Sequence, residues 1–276
     1  MAEGEGPLIV DHDVHVHTFL SACCNDDRLT PAAAIDNGAT IGLKTIGFAN
    51  HVWDSAVPGA SKWYGPQDVG HVMQIREMIP ADTRGIRVLL GCESEYCGAG
   101  KVGLTTKSAA LFDYVLLPMS HFQMSGGFIR PKDLAAPEDV ASLLMRRFNE
   151  AVEIEFITGI AHPLLPIGFM DHADRIMSLI SDAQLADGFG RAAELGVSIE
   201  FNTGMFPGST GRESRGFHDD AFIRVMSLAR QAGCFFHFGS DAHNLNHLDG
   251  VVALGKYADH VGVTSEDIHP VFRPRC

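Results

Sequence analysis

Histidines and carboxylates recur in this chain at short, regular spacings. Asp13, His15 and His17 alternate along the segment DVHVH, and Asp241 and His243 alternate in the segment SDAH. Residues two apart in a β-strand point to the same side, so each segment would present its polar groups in one direction. Imidazole and carboxylate ligands suit Zn, Mn or Fe better than Ca or Mg. The spacing therefore predicts a site for transition-metal ions.

Single metal-capable side chains lie between these two segments: His51, Glu93, His121 and His162. Glu93 alternates with Glu95, and a carboxylate such as Glu93 could bridge two cations, with Glu95 as the alternative. A histidine at the end of one strand is more often packed or solvated than bound to metal, so no single residue carries the prediction. The two alternating segments together with the intervening groups predict a multinuclear metal site.

Seven apolar runs precede these polar groups, which indicates the elements that position them. The runs cover residues 8–15, 44–49, 86–92, 114–119, 156–161, 197–201 and 234–239. Segments of helical composition lie between them, at 31–38, 66–78, 137–155, 174–195 and 219–232. Such alternation is typical of an α/β fold with a parallel sheet. Pro137 predicts a helix start and Gly196 a helix end.

The position of the polar groups favours a barrel. Every predicted strand ends in a polar or metal-capable residue, and in an α/β barrel those ends meet on the face where active sites lie. The length of 276 residues is typical of one such barrel, and the apolar fraction of 46% allows a large core. We predict a single domain over residues 1–276.

Composition and charge exclude several classes of protein. The formal charge of −13 argues against non-specific nucleic-acid binding, which needs a basic surface. Apolar runs long enough for a membrane span are absent from the sequence, and its first residues lack a signal-peptide pattern, so we expect a cytoplasmic protein without a membrane partner. Six cysteines are too few for a disulfide scaffold of this length.

The ordered motifs resemble those of a known group of enzymes. They are DVHVH at 13–17, NH at 50–51, GCE at 91–93, SH at 120–121, AHP at 161–163, EFN at 200–202 and SDAH at 240–243. In this order the chain resembles the polymerase-and-histidinol-phosphatase superfamily, and within it the histidinol-phosphatase-like hydrolases. The resemblance implies a distorted (β/α)7 TIM-like barrel, in agreement with the seven predicted strands.

The resemblance also implies how two or three divalent ions (Zn, Mn or Fe) would be shared among the ligands. One cation would bind His15, His17, Glu93 and Asp241; a second would share Glu93 and add His121 and His162; a third would bind His51 and His243.

Two positions depart from the superfamily pattern. In the loop after the first motif, where relatives have a histidine or an aspartate, this chain has Cys23, which could be a third-site ligand or a small buried cysteine. Asp26 or Asp27 could serve instead. The second departure is Asn50, where relatives have an aspartate before the histidine. Asp13 could orient a histidine ring, while Glu200 and Asn202 are expected to hydrogen-bond within the barrel mouth.

These residues favour hydrolysis of a phosphate ester by metal-activated hydroxide. Asp241 is the preferred group for moving the proton, with His243 as the other candidate. Arg212 and Arg215, in a glycine-rich loop, are candidates for binding the phosphate, and Arg130 and Lys132 are weaker ones. The aromatic loop with Trp53, Lys62, Trp63 and Tyr64 could form a lid over the substrate or simply pack.

The leading hypothesis is a phosphatase for a small phosphorylated metabolite, with histidinol phosphate as the first candidate. A phosphodiesterase acting on a nucleotide or cyclic phosphate would use the same ligands. An amidohydrolase is less favoured because no lysine ends a predicted strand. A catalytically silent metal-binding module is less favoured because the ligand set is intact. The sequence leaves the exact substrate, the metal and the oligomeric state open.

Overall fold

The computed structural model describes residues 8–121, 136–210 and 217–274. Seven parallel strands form one sheet, and helices surround it. In spatial order, which is also chain order, they are β1 (His12–Val16), β2 (Thr45–Phe48), β3 (Arg87–Glu93), β6 (Tyr114–Pro118), β7 (Gly159–Ala161), β8 (Ser198–Asn202) and β9 (Phe236–Gly239). A separate antiparallel hairpin, β4 (Tyr96–Gly98) and β5 (Lys101–Val102), follows β3.

The sheet curls into a nearly closed barrel. Its seam lies between β1 and the segment that follows β9, where Val16 forms a parallel bridge with Ala242. The backbone N–H of Asp241 donates to the carbonyl of His15 over 2.8 Å, and the N–H of His17 donates to the carbonyl of Ala242 over 3.2 Å. The predicted α/β barrel of seven strands is therefore confirmed.

Ten helices accompany the strands within the described residues. They are α1 (Pro31–Thr40), α2 (Val69–Met73), α3 (Ile75–Met78), α4 (Thr106–Ala109), α5 (Pro137–Ala151), α6 (Ala173–Leu179), α7 (Asp182–Leu195), α8 (Pro207–Thr210), α9 (Asp219–Gln231) and α10 (Gly255–Val261). None of them is long and apolar enough to pass through a lipid bilayer.

Two predicted helices are interrupted, while the predicted helix start and end are confirmed. The segment 66–78 contains the separate helices α2 and α3, and 174–195 contains α6 and α7. The second break occurs because the Ser181 hydroxyl accepts from the backbone N–H of Gln184 and begins a new helix. Helix α5 begins at Pro137, and α7 ends before Gly196, whose φ of 71° is the left-handed conformation that glycine tolerates.

Strand boundaries shift where the apolar runs extend beyond the sheet. The first strand begins at His12 rather than at residue 8, and β7 covers only Gly159–Ala161 of the predicted 156–161. The reason is that pairing with neighbouring strands, not apolar content, sets strand length. The hairpin of β4 and β5 was not predicted, because its two short strands carry no periodic pattern.

Tyr114 fills the barrel interior below the mouth. Its hydroxyl donates to the carbonyl of Val14 over 2.6 Å. Gly47 and Gly91 face the ring, and a Cβ atom at either position would overlap it. Glycine is therefore required there so that the backbones of β2 and β3 can approach the aromatic side chain. Glu93, two residues beyond Gly91, lies on the same inward face, at the mouth.

Candidate metal centre

Glu93, the last residue of β3, lies at the centre of a group of buried histidines. Its carboxylate oxygens lie 3.0 Å from His51 Nδ1, 3.2 Å from His162 Nε2, 3.4 Å from His15 Nε2, 3.4 Å from His17 Nε2 and 4.0 Å from His121 Nε2. A backbone bridge between His51 and Glu93 extends the pairing of β2 and β3 past the strand ends. The candidate ligands of four strand ends thus meet at one carboxylate.

The outer nitrogens of these histidines are bonded away from the centre. His15 Nδ1 donates to Glu200 over 2.7 Å, and His121 Nδ1 donates to Glu95 over 3.1 Å. Because a carboxylate can only accept, each Nδ1 carries a proton, and each Nε2 is the nitrogen that can take up either a second proton or a cation. Both Nε2 atoms point towards Glu93. This pattern of a carboxylate that orients a histidine is typical of metal ligands.

His17 is oriented by a hydroxyl. Its Nδ1 lies 3.3 Å from Ser21 Oγ, which donates to Asn50 Oδ1 over 2.9 Å. Since Ser21 uses its proton on Asn50, it can only accept from His17, and Nε2 of His17 again faces the centre. Asn50 Oδ1 also accepts from the backbone N–H of Thr18 over 2.8 Å. Asn50 therefore holds the loop after β1 in place.

Three groups of side chains bring their donor atoms close enough together to hold a metal ion, with all donors of a group within 4.8 Å of one another. They are His15, His17 and Glu93; Glu93, His121 and His162; and His17, Cys23, His51 and His243. Asp241 Oδ1 adjoins the first group, 3.1 Å from His17 Nε2 and 3.6 Å from His15 Nε2.

The buried polar atoms fit bound cations. Within the described part of the chain, His15 Nε2 and His51 Nδ1 are buried without a hydrogen-bond partner although each faces Glu93. A bare nitrogen and a carboxylate oxygen at such distances repel each other unless a proton or a cation lies between them. Buried polar groups without partners cost free energy, and metal coordination would satisfy them.

The electrostatics of the centre favour ligand-competent forms at several positions. Burial opposes ionisation of Glu93 and Asp241, yet the neighbouring histidines keep the pKa of both carboxyls well below its ordinary value. Burial lowers the pKa of His17 to about 4 and that of His51 well below normal. All four groups are therefore in the protonation state that binds metal near neutral pH.

His121 and His15 behave differently because each contacts an orienting carboxylate. Although burial lowers it, Glu95 raises the pKa of His121 to about 9, and Glu200 and Asp241 raise that of His15 well above normal. These imidazoles hold a proton near neutral pH when no cation is bound, and a cation would have to displace it.

Two residues of the centre have unusual backbone conformations. Asp241 has φ of 52° and His162 has φ of 28°, both in the left-handed region that disfavours non-glycine residues. Each such residue costs about 1–3 kcal/mol, and such conformations cluster at functional sites. The backbone N–H of Asp241 bonds to His15, and that of His162 donates to Glu200, so the surrounding structure holds both conformations in place.

Asp13 does not orient a histidine ring, contrary to expectation. Its Oδ1 accepts from the backbone N–H groups of His15 and Ser240, at 3.2 Å and 3.0 Å, and so joins β1 to the end of β9. Burial raises the pKa of Asp13 to about 7. The ring of His15 is oriented by Glu200 instead, and Asn202 Nδ2 donates to the same carboxylate over 3.1 Å. The expected hydrogen bonding of Glu200 and Asn202 within the mouth is therefore observed.

Glu95 lies outside the histidine group that surrounds Glu93. Its Oε2 accepts from Tyr64 Oη over 2.7 Å and from His121 Nδ1. The geometry therefore gives the central position to Glu93 and an orienting position to Glu95. Sequence reasoning missed Tyr64 and Ser21 as partners of these groups. Only Ser120 could have been identified from the sequence, because it directly precedes His121. Its hydroxyl lies 3.3 Å from His162 Nδ1.

Cys23 is the residue of the loop after β1 that reaches the ligand cluster. Burial and the neighbouring Asp241 and Glu93 carboxylates raise the pKa of its thiol. Asp26 is instead paired with Arg28 over 2.8 Å and accepts from the backbone N–H of Leu245. Asp27 is exposed. Of the three alternatives for this position, the structure places only Cys23 beside His51 and His243.

Some of the residues expected around the entrance to the metal centre lie among the described residues. Trp53 and Tyr64 are buried, whereas half-buried Trp63 contacts the edge of His51 with ring centroids 5.0 Å apart. Trp63 is therefore the aromatic residue of this loop that borders the entrance. Four predicted cationic substrate contacts, Arg130, Lys132, Arg212 and Arg215, lie outside the described residues.

Comparison with known proteins shows the fold. No protein-family model matches the sequence, and neither does any curated protein. The crystal structure of a histidinol phosphate phosphatase from Lactococcus lactis, complexed with zinc, L-histidinol and phosphate, is similar with a TM-score of 0.63 at 16% identity. The alignment covers 92% of this chain and 94% of that chain. At such low identity the likeness demonstrates a shared fold.

Two further solved structures align with lower scores. One is described as an uncharacterized protein, with a TM-score of 0.45 at 12% identity, covering 94% of this chain and 75% of that chain. The other is a dihydropteroate synthase from Anaplasma phagocytophilum, with a TM-score of 0.38 at 13% identity, covering 91% of this chain and 100% of that chain. Both scores are too low to carry an argument.

Proposed function

We propose that this protein is a metal-dependent phosphatase that hydrolyses a small phosphate monoester. The observation that carries the proposal is the meeting of six histidines with Glu93 and Asp241 at the barrel mouth, in three groups that share residues. Zinc, an alcohol and phosphate in the structurally similar histidinol phosphate phosphatase support the choice of reaction. A small metabolite fits the net charge of −13, which disfavours a long polyanion.

The ligands would hold two or three divalent cations. We assign His15, His17, Glu93 and Asp241 to the first, and Glu93, His121 and His162 to the second. The third would bind Cys23, His51 and His243. When bound, such ions supply a water of lowered pKa and neutralise charge on the phosphoryl oxygens.

The chain's own groups would orient the ligands and move protons. Glu200 and Glu95 fix the rings of His15 and His121 through Nδ1, so that Nε2 of each ring faces Glu93. Asp241 is ionised and lies 3.1 Å from His17 Nε2, where it can accept a proton from the attacking water. Once protonated, Asp241 would return this proton to the departing alkoxide. His243, whose Nδ1 lies 3.8 Å from Asp241 and whose side chain is 34% exposed, is the alternative proton carrier only if it does not hold the third cation.

Phosphate release from a substrate panel tests the proposal. Purified protein would be analysed for metal content and assayed with phosphomonoesters, including histidinol phosphate, and with phosphodiesters. We expect two to three bound metals and chelator-sensitive hydrolysis of monoesters. His17→Ala and Asp241→Ala should lower the metal content and abolish hydrolysis, because each removes a ligand of the first cation. His260→Ala, at an exposed position, is the matched control and should keep both.

The other outcomes identify the competing functions. Cleavage of diesters with little action on monoesters would make the protein a phosphodiesterase. Bound metal without phosphate release from any ester would favour an amidohydrolase or a silent metal-binding module. Full activity in His17→Ala or Asp241→Ala would contradict the ligand assignment, and failure to bind metal after reconstitution would contradict the proposed function as a whole.

A further inference from the structure

The group of donors that contains Cys23 differs chemically from the other two. Among the three groups found in the described residues, it alone offers a sulfur atom, and it lacks Glu93. The other two combine imidazole with the Glu93 carboxylate. Thiolate is a soft ligand that selects zinc, whereas imidazole and carboxylate ligands together also accept manganese and iron.

His17 belongs to two of the groups but can serve only one cation. Its Nδ1 contacts Ser21, so Nε2 is the single free donor. That atom lies 3.1 Å from Asp241 Oδ1, which assigns His17 to the cation that Asp241 adjoins. Cys23, His51 and His243 then remain as three protein ligands, and the fourth position of a tetrahedral ion is left open.

We infer that Cys23, His51 and His243 form a zinc-selective site next to two nitrogen–oxygen sites that accept manganese or iron, so that the loaded protein holds a mixed-metal centre. This inference rests on the proposed function, because it assumes that the three groups bind metal. It goes further by giving each group its own metal preference.

The geometry suits zinc. Bonds of about 2.3 Å to sulfur and about 2.0–2.1 Å to nitrogen place one sulfur and two nitrogen donors of a tetrahedral zinc ion about 3.3–3.6 Å apart. The donors of this group already lie within 4.8 Å of one another, so small side-chain movements would close the site. Three protein ligands with one open position are typical of catalytic zinc.

The loop that carries Cys23 is held against the other ligands. Cys24 Sγ donates to the backbone carbonyl of His243 over 3.3 Å, which joins the loop after β1 to the segment after β9. His243 is one third exposed and Cys23 is half-buried, whereas His51 is buried, so His243 and Cys23 lie at the entrance of the centre. Glu93 and His15, by contrast, are buried. The zinc site would thus meet an incoming substrate first.

Cobalt provides a direct probe, because cobalt bound to thiolate absorbs in the near ultraviolet. Metal-free protein would first be loaded with excess manganese and then titrated with cobalt. We expect the thiolate band to appear in the unaltered protein, to bleach on addition of stoichiometric zinc, and to persist when more manganese is added. Cys23→Ser should lose the band. Cys24→Ser, which changes the adjacent thiol, should keep it.

Zinc retention gives a second readout that does not depend on activity. Cys23→Asp offers an oxygen ligand in place of sulfur, so after dialysis against excess manganese it should retain less zinc than Cys24→Ser. If cobalt binds and phosphate is released but no thiolate band appears, or if Cys23→Ser keeps the band, the inference is wrong and the proposed function stands. If neither the unaltered protein nor Cys24→Ser binds any metal, the proposed function fails as well.

Discussion

The inward face of the barrel carries polar side chains at two levels, and histidines behave differently at each. At the mouth, fully buried His15 has a raised pKa because the carboxylates of Glu200, Asp241 and Glu93 surround it. At a lower level, fully buried His237 packs beside Phe272 and its Nδ1 contacts Ser198 Oγ over 2.9 Å. Burial lowers the pKa of His237 to about 3.

Neither residue type nor burial therefore defines the site. His15 and His237 are both completely buried, and both lie on strands of the same sheet. What separates them is the number of carboxylates within reach, and these belong to the strand ends. A buried imidazole among carboxylates can exchange its proton for a cation, whereas one among hydroxyl and aromatic groups stays neutral.

The largest expected effect comes from removing the shared charge at the mouth. Glu93→Gln keeps the shape of the side chain but removes the carboxylate that contacts histidines from four strand ends. We expect loss of bound metal and a loss of hydrolysis of more than roughly a hundredfold. A roughly hundredfold loss is the upper end of the range when a residue that only orients a metal ligand is changed. Elemental analysis and phosphate release measure the two losses. His237→Gln, at the lower level, should retain its metal. Loss of metal from this variant would show that the two levels do not differ in metal binding.

A smaller effect on metal affinity is expected at residues that orient the ligands without binding metal themselves. Glu95→Gln weakens the hydrogen bond that orients His121, so metal affinity should fall by roughly 10–100-fold, measured by competition with a chromophoric chelator. Glu150→Gln is the matched control, because Glu150 also accepts from a tyrosine, Tyr96, at 2.6 Å, but its other partner is the backbone N–H of Ala99 and not a histidine. Equal affinities in both variants would mean that Glu95 does not orient a ligand.

A third effect, which appears only in acid, concerns stability at the lower level. Folded His237 has a pKa of about 3, below the ordinary value of 6.5, so the unfolded chain binds more protons as the pH falls below about 6.5. The free energy of unfolding should therefore decrease through this histidine by up to about 1.4 kcal/mol per pH unit between pH 6.5 and 3. Denaturation of metal-depleted protein at several pH values should give a shallower slope for His237→Gln.

Exposed His260 supplies the comparison for this measurement. His260→Gln removes a surface histidine by the same substitution and is measured in parallel with His237→Gln. A slope for His237→Gln identical to that of His260→Gln would show that His237 does not resist protonation in the folded state.

Much of the fold could be predicted because each strand end carries a polar signal. The seven strands and the face on which their polar ends meet follow from local pattern and from the geometry of parallel barrels. Helix breaks were less predictable: the N-terminal cap at Ser181 divides an otherwise continuous helical segment. The hairpin at Tyr96–Gly98 and Lys101–Val102 is too short to produce a periodic pattern.

The site was predictable as a set of residues, but its hydrogen-bond partners were not. That Glu200 rather than Asp13 orients His15 depends on the register of strands 185 residues apart in the sequence. The contact of Tyr64 with Glu95 depends on how an irregular loop folds back over β3. The choice of Cys23 over Asp26 depends on Arg28, which pairs with Asp26. Each of these is a tertiary contact that no local spacing encodes.

The seam of the barrel has a consequence for the lifetime of the protein. His15 and His17 lie on one side of it, and Asp241 and His243 lie on the other, where few backbone hydrogen bonds join the two edges. Cations shared across this boundary would bind only the closed form and so stabilise it by mass action. Metal-depleted protein should then exchange the amide hydrogens of β1 and β9 faster and be digested sooner by proteases, so that metal supply would govern its turnover as well as its chemistry.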